Sequence, residues 1–263
     1  MFIVFSCSLF IVSCNTEEVV TNEIENNVVE NQELYRRASN YYLSYSDALF
    51  ISNQLIDASN MFFDESIDVE STNESELEDK FWIENNEILT NTSERLRLEV
   101  DIVKEDFNQF NEIVVNEQKI NNAEFLTAIQ KSYAVNLLNA ANQNDIDELI
   151  SIKNQFKKDV KHYPELELFN LGIALIEVAE PDLILLLRGS DCNQVGLVAG
   201  IMSGVFGMIS GAIGGGLTGV VLGLGIGSIP AGGAGAVIGA VVGGLAGFTK
   251  GYILGWLGCM IFG

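Results

Sequence analysis

The chain has a single histidine, His162, and three prolines among 263 residues. One imidazole rules out a His-rich metal site, and a Ser-His-Asp arrangement would rest wholly on that residue. His162 stands among Lys157, Lys158, Lys161 and Tyr163. This is an expected helix C-terminus, where a cation favours the dipole. Positive charge is scarce as well: 14 Lys and Arg face 36 Asp and Glu, a net charge of −22. That deficit argues against nucleic acid as a partner. No GxGxxG lies between a strand and a helix, and no glycine-rich loop ends in GK[ST], so phosphate binding has no support. The carboxylate pairs Glu17/Glu18 and Asp64/Glu65 are sequence neighbours, and on a helix they point apart. No catalytic residue, metal ligand or cofactor is expected, and the chain reads as non-enzymatic.

Glycine is nearly absent from the first 191 residues, where only Gly172 and Gly189 occur. The other 23 of the 25 glycines lie in residues 192–263, where Lys250 is the one charged side chain. They recur at every fourth position: Gly196, Gly200, Gly204; Gly207, Gly211, Gly215, Gly219, Gly223, Gly227; and Gly235, Gly239, Gly243, Gly247, Gly251, Gly255. That spacing is helical and makes a smooth stripe. Each glycine inside a helix in water costs roughly 1 kcal/mol relative to alanine, so something must offset them. Close helix packing in lipid does so, because a GxxxG stripe lets two axes approach and gain dispersion and Cα–H···O contacts. Val198, Ile201, Val205, Val220, Val237, Val241 and Leu245, between the glycines, are then expected to face acyl chains.

The spacing predicts two helices joined near residues 225–233, where Ser228, Ile229, Pro230 and Ala231 interrupt the pattern. The apolar run 195–224 would be about 45 Å long, enough to span with tilt. The run 231–249 suffices for one crossing before Lys250. Lys250, Tyr252 and Trp256 are then expected as an interfacial anchor, the lysine snorkelling and the rings at headgroup depth. Two other readings stand beside this one: a low-complexity glycine linker, and a β-structured insertion favoured by valine and isoleucine.

At the other end, residues 1–13 read MFIVFSCSLFIVS and are followed by Cys14. An apolar run of that size suits a signal peptide rather than a membrane span. Ile11, Val12, Ser13 and Cys14 resemble the bacterial lipobox, although no basic residue precedes Arg36. The resemblance implies cleavage before Cys14 and its lipidation, leaving a lipidated acidic tether over 14–32. Asn15 is not the aspartate that retains such proteins in the inner membrane. Glu17 and Glu18 resemble the acidic export signal of surface lipoproteins. With Cys7 lost and Cys14 acylated, Cys192 and Cys259 remain as a disulfide candidate that closes the hairpin in an oxidising compartment. With the turn at 225–233 the first arm is a turn or two too long, so the bridge would require Cys192 in a folded-back linker with Asp191 and Asn193.

Between the ends, apolar residues at spacings of three and four predict helices over about 33–62, 75–117 with a break near Asn91 and Thr92, 123–141, 145–162 and 165–179. Asp145 followed by Glu148 has the form of a capping box. Pro164 and Pro181 punctuate the last of these segments. The predicted fold is all-α: a helical bundle over 33–190, then a two-helix glycine-zipper transmembrane hairpin over 191–263.

The tail resembles two groups. One is the glycine-zipper outer-membrane lipoproteins; the other is the glycine-zipper bacteriocin-like and contact-dependent toxins. The first implies a lipid-anchored protein of the bacterial cell envelope, at the outer membrane or cell surface. Its hairpin would insert in membrane lipid and form a homo-oligomer through the glycine stripe. The second implies a pore-forming toxin whose acidic bundle masks the hairpin, with an immunity protein as partner. A scaffold lipoprotein using the hairpin as a second anchor is a third reading.

Overall fold

The computed structural model describes residues 42–64, 73–98, 101–109, 114–185, 191–218 and 233–262. Residues 1–32 with Cys14, and Gly219, Gly223 and Val220, lie outside the described residues. Among the described residues every regular element is helical. The α-helices are α1 (Tyr45–Asp64), α2 (Glu74–Glu84), α3 (Asn86–Arg95), α4 (Glu117–Asn121), α5 (Ala128–Gln143), α6 (Ile146–Asp159), α7 (Asn170–Leu185), α8 (Cys192–Thr218) and α9 (Gly233–Phe262). Two 3₁₀ segments, Lys104–Gln109 and Pro164–Phe169, complete the set.

Side-chain caps fix several helix starts. The Asn73 side chain accepts from Glu76 N–H to open α2, and Asp145 accepts from Glu148 N–H to open α6. Thr127 and Gln130 form a reciprocal capping box, so α5 begins at Ala128 rather than at residue 123. The long helix expected over 75–117 is instead α2, α3 and a 3₁₀ segment. It breaks at Asn85, whose backbone and side-chain N–H groups both donate to Phe81 O. Asn91 and Thr92 do not interrupt it: Thr92 lies inside α3 and returns its hydroxyl to Ile88 O. The second stop is Arg97, with φ 57°, a left-handed position that ends a helix. Pro181 is carried inside α7, where it removes one backbone donor without ending the helix.

The C-terminal hairpin is the axis of this fold. The helices α8 and α9 pack along their whole length. Around them lie α7, α5, α2 and α1, with α3 outside α1 and α6 outside α5 and α7. The expected bundle and the expected hairpin share one hydrophobic core, which runs from Leu43 through Phe81, Leu137 and Ile176 to Val205, Leu245 and Trp256. Ile201, Val205, Val241 and Leu245, expected to face acyl chains, are buried against protein. Val198 and Val237 are half-buried.

Candidate functional site

Two rows of small residues meet along the hairpin. On α8 the row is Ala199, Ser203, Gly207, Gly211 and Gly215; on α9 it is Gly235, Gly239, Gly243, Gly247 and Gly251. The pairs advance in steps of four in opposite directions: Gly207 on Gly243, Gly211 on Gly239, Gly215 on Gly235. A methyl group fits nowhere along the centre of this seam. A Cβ at Gly211 would lie 2.6 Å from the carbonyl carbon of Gly239, and one at Gly239 would lie 2.8 Å from that of Gly211. In both cases the carbonyl oxygen is closer still. Lost side-chain area is exchanged here for backbone-to-backbone packing.

Gly196, Gly200 and Gly204 belong to a neighbouring row with a different task. They make room for aromatic rings: a Cβ at Gly196 would stand 2.9 Å from the Tyr252 ring, and one at Gly200 3.2 Å from the Phe248 ring. Gly255 fits against Ala199 and Val195 at the open end. Beyond it, Cys192 and Cys259 are joined by a disulfide, with Cα atoms 5.3 Å apart. Cys192 is the first residue of α8, so no folded-back linker is involved. The described arms explain this, because 192–218 and 233–259 each hold 27 residues. Counted from the cysteines the arms are therefore equal, not a turn or two different as expected; the turn expected at 225–233 lies, but for Gly233, outside the described residues.

The expected interfacial anchor divides. Tyr252 is fully buried; its ring stacks on Phe63 of α1 with centroids 5.1 Å apart, and its hydroxyl donates to Asn60 Oδ1 at 2.9 Å. Trp256 is also buried, with its ring 4.9 Å from Phe63. Both rings lie under α1 rather than at an exposed rim. Their apolar bodies find protein partners, and the tyrosine oxygen finds an amide. Lys250 alone is exposed, with its ammonium 3.5 Å from Glu74 of α2.

The sheath is held by polar ties between its helices. Tyr45 of α1 and Lys157 of α6 both donate to Glu177 of α7, and Lys153 of α6 pairs with Glu180 at 2.6 Å. Burial alone would raise the Glu177 pKa. The hydrogen bonds from Lys157 and Tyr45, with the charges of Lys157 and Lys153, outweigh it and hold the carboxyl below its ordinary range. Glu78 on α2 goes the other way, raised by burial that neighbouring Lys104 and Lys250 only partly offset. His162 follows α6 and donates its backbone N–H to Asp159 O. Among the described residues no group of His, Cys, Asp and Glu could hold a metal ion.

Along the hairpin seam, away from α7, lies a trough of about 510 Å³ floored by Gly207, Gly243 and Gly247. Sequence reasoning missed it, because it exists only where the sheath stops. No protein-family model, curated protein or solved structure matches the chain.

Proposed function

We propose that this protein is a non-enzymatic, membrane-active protein that stores a glycine-zipper hairpin inside an acidic helical sheath and delivers it to a lipid bilayer. One observation carries the reading. Both α8 and α9 are long and apolar enough to cross a membrane, yet 72% of the most apolar window of each is buried inside the protein. A hairpin resident in lipid would turn Ile201, Val205 and Leu245 outward; here they turn to protein.

The energetics of release follow from the environments on either side. Lipid tails are as apolar as a leucine core, so moving the outer hairpin side chains from sheath to bilayer is close to neutral. The seam and the disulfide are internal to the hairpin and travel with it. What must be broken is the sheath's own packing and the few polar ties to α9, chiefly Tyr252 to Asn60 and Lys250 to Glu74. Because the seam glycines are already filled by the other arm, a homo-oligomer through those same glycines would have to displace it. A conducting pore would need several copies around a polar lumen, which one hairpin with Lys250 as its single charge does not supply.

The motif at residues 11–14 favours a second reading, a lipid-anchored envelope protein whose hairpin remains in its own membrane. Alkaline carbonate extraction of membranes from the producing cell separates the two. The full chain is compared with Cys14→Ala and with a chain ending at residue 190. In the stored-hairpin reading Cys14→Ala leaves the membrane, and the purified chain releases dye from zwitterionic vesicles, which do not repel its net charge of −22. Retention of Cys14→Ala, with release from the membrane only on truncation, identifies a resident span. Absence of both retention and dye release refutes membrane activity.

A further inference from the structure

We infer that the Cys192–Cys259 bond is a redox clasp on the stored hairpin: closed when oxidised, and opened by a dithiol so that the last turns of α9 separate from α8. The bond stands where the seam gives out. Cys259 comes four residues after Gly255 and takes the next step of the α9 row, so a covalent link replaces the backbone contact there. One residue earlier, a Cβ at Gly258 would meet nothing within 4 Å, whereas at Gly211 the opposing backbone leaves no room for a methyl. The centre of the hairpin is held by its own shape, and its open end by the bond and by α1.

The two arms respond differently to loss of the bond. The first turn of α8 has its own fastening: the Asp191 side chain accepts from Gln194 N–H at 2.8 Å, and the Asp191 carbonyl accepts from Val195 N–H. Cys192 also follows the end of α7 by seven residues, and α7 is tied to α1 and α6 through Glu177 and Glu180. The last turn of α9, by contrast, carries exposed Met260 and Ile261. Inward of the bond, Tyr252 and Trp256 rest on Phe63 and Asn60 of α1. With the bond closed, α9 cannot draw these rings from α1 without carrying Cys192 away from α7. With the bond open it can, one turn at a time.

Both cysteines are partly exposed and the space beside Gly258 is open, so a thiolate reaches the sulfurs in the folded chain. Exposed disulfides are the labile ones. The thiolate of a dithiol attacks one Sγ, the S–S bond breaks, and the other cysteine leaves as a thiolate that takes up a proton. The dithiol's second sulfur then displaces the first cysteine. The protein gains two electrons and two protons, and the reductant leaves as a disulfide. A compartment that keeps dithiols reduced therefore opens the clasp, and an oxidising one keeps it shut.

The clasp itself is independent of any membrane; its use in delivery rests on the stored-hairpin reading. The test treats the full chain with dithiothreitol in the absence of denaturant and follows it by thiol titration and hydrogen exchange. A gain of two thiols is expected. Amides over 252–262 should then exchange at least about tenfold faster while those over 207–215 and 235–243 stay protected, and reoxidation should restore the original pattern. Cys259→Ser should show the open pattern without reductant. Reduction only in urea, unchanged exchange over 252–262, or equal loss of protection along the whole hairpin would overturn the clasp. With zwitterionic vesicles the reduced chain should release dye faster than the oxidised chain, and equal rates would overturn control of delivery by the bond. No release in either state would remove the delivery reading and leave the clasp to be decided by the exchange result.

Discussion

Replacing Gly211 by alanine tests the seam at its tightest level. The new methyl would stand 2.6 Å from the Gly239 carbonyl carbon and 3.2 Å from Gly243 Cα, against an ordinary contact range that begins at 3.4 Å. Both neighbours are backbone, so no rotamer change relieves the clash. The axes must part by about 1 Å or more, and contacts at the adjacent levels loosen with them. Overpacking of this kind costs about 3 kcal/mol. Alanine returns about 1 kcal/mol of helix propensity, so the net loss is about 2 kcal/mol. With a urea slope of about 2 kcal/mol/M, the midpoint should fall by about 1 M, read from the fluorescence of buried Trp82 and Trp256. Gly258→Ala is the matched control: nothing lies within 4 Å of its Cβ, so the propensity gain should raise the midpoint by up to about 0.5 M. A Gly211→Ala protein as stable as the parent would refute the seam as a steric device.

Three further outcomes follow from the same geometry. Cys192→Ser removes a bridge spanning 67 residues of sequence, worth about 4 kcal/mol by chain entropy, so thermal unfolding should drop sharply and match the reduced parent. Tyr252→Phe keeps the ring stack on Phe63 and loses the bond to Asn60; a loss of about 1 kcal/mol in urea titration is expected, and no change would mean that this tie does not hold the hairpin to α1. Because the Glu177 pKa is depressed in the folded state, its contribution is present above the unfolded carboxyl pKa and is lost as pH falls through the folded value. Melting temperatures measured against pH should show acid destabilisation there that disappears in Glu177→Gln, whereas Glu78, raised by burial, contributes with the opposite sign.

Much of this architecture is legible from local chemistry. The capping residue at Asp145, the periodic apolar faces and the fourfold glycine spacing are properties of short windows, and short windows decide helices. Breaks were harder to place, because Asn85 and Asn91 look alike in sequence and differ only in what their side chains meet. The trough was not legible at all: Ser210 and Leu254 are 44 positions apart by number, and only the seam register and the reach of the sheath bring them to one cavity.

By itself the sequence determined the helical periods of the chain and the fourfold glycine stripe of its last part; that the stripe folds as a hairpin closed by Cys192 and Cys259 is seen in the structure. The hairpin's apolar character is equally plain in the sequence. It could not determine what the outside of that hairpin touches. A lipid tail and a leucine core place the same demand on a side chain, so Ile201, Val205 and Leu245 suit either, and the rings of Tyr252 and Trp256 suit a headgroup layer or an asparagine and a phenylalanine equally well. Only the tertiary structure decided between them, by laying α1, α2, α5 and α7 over the hairpin.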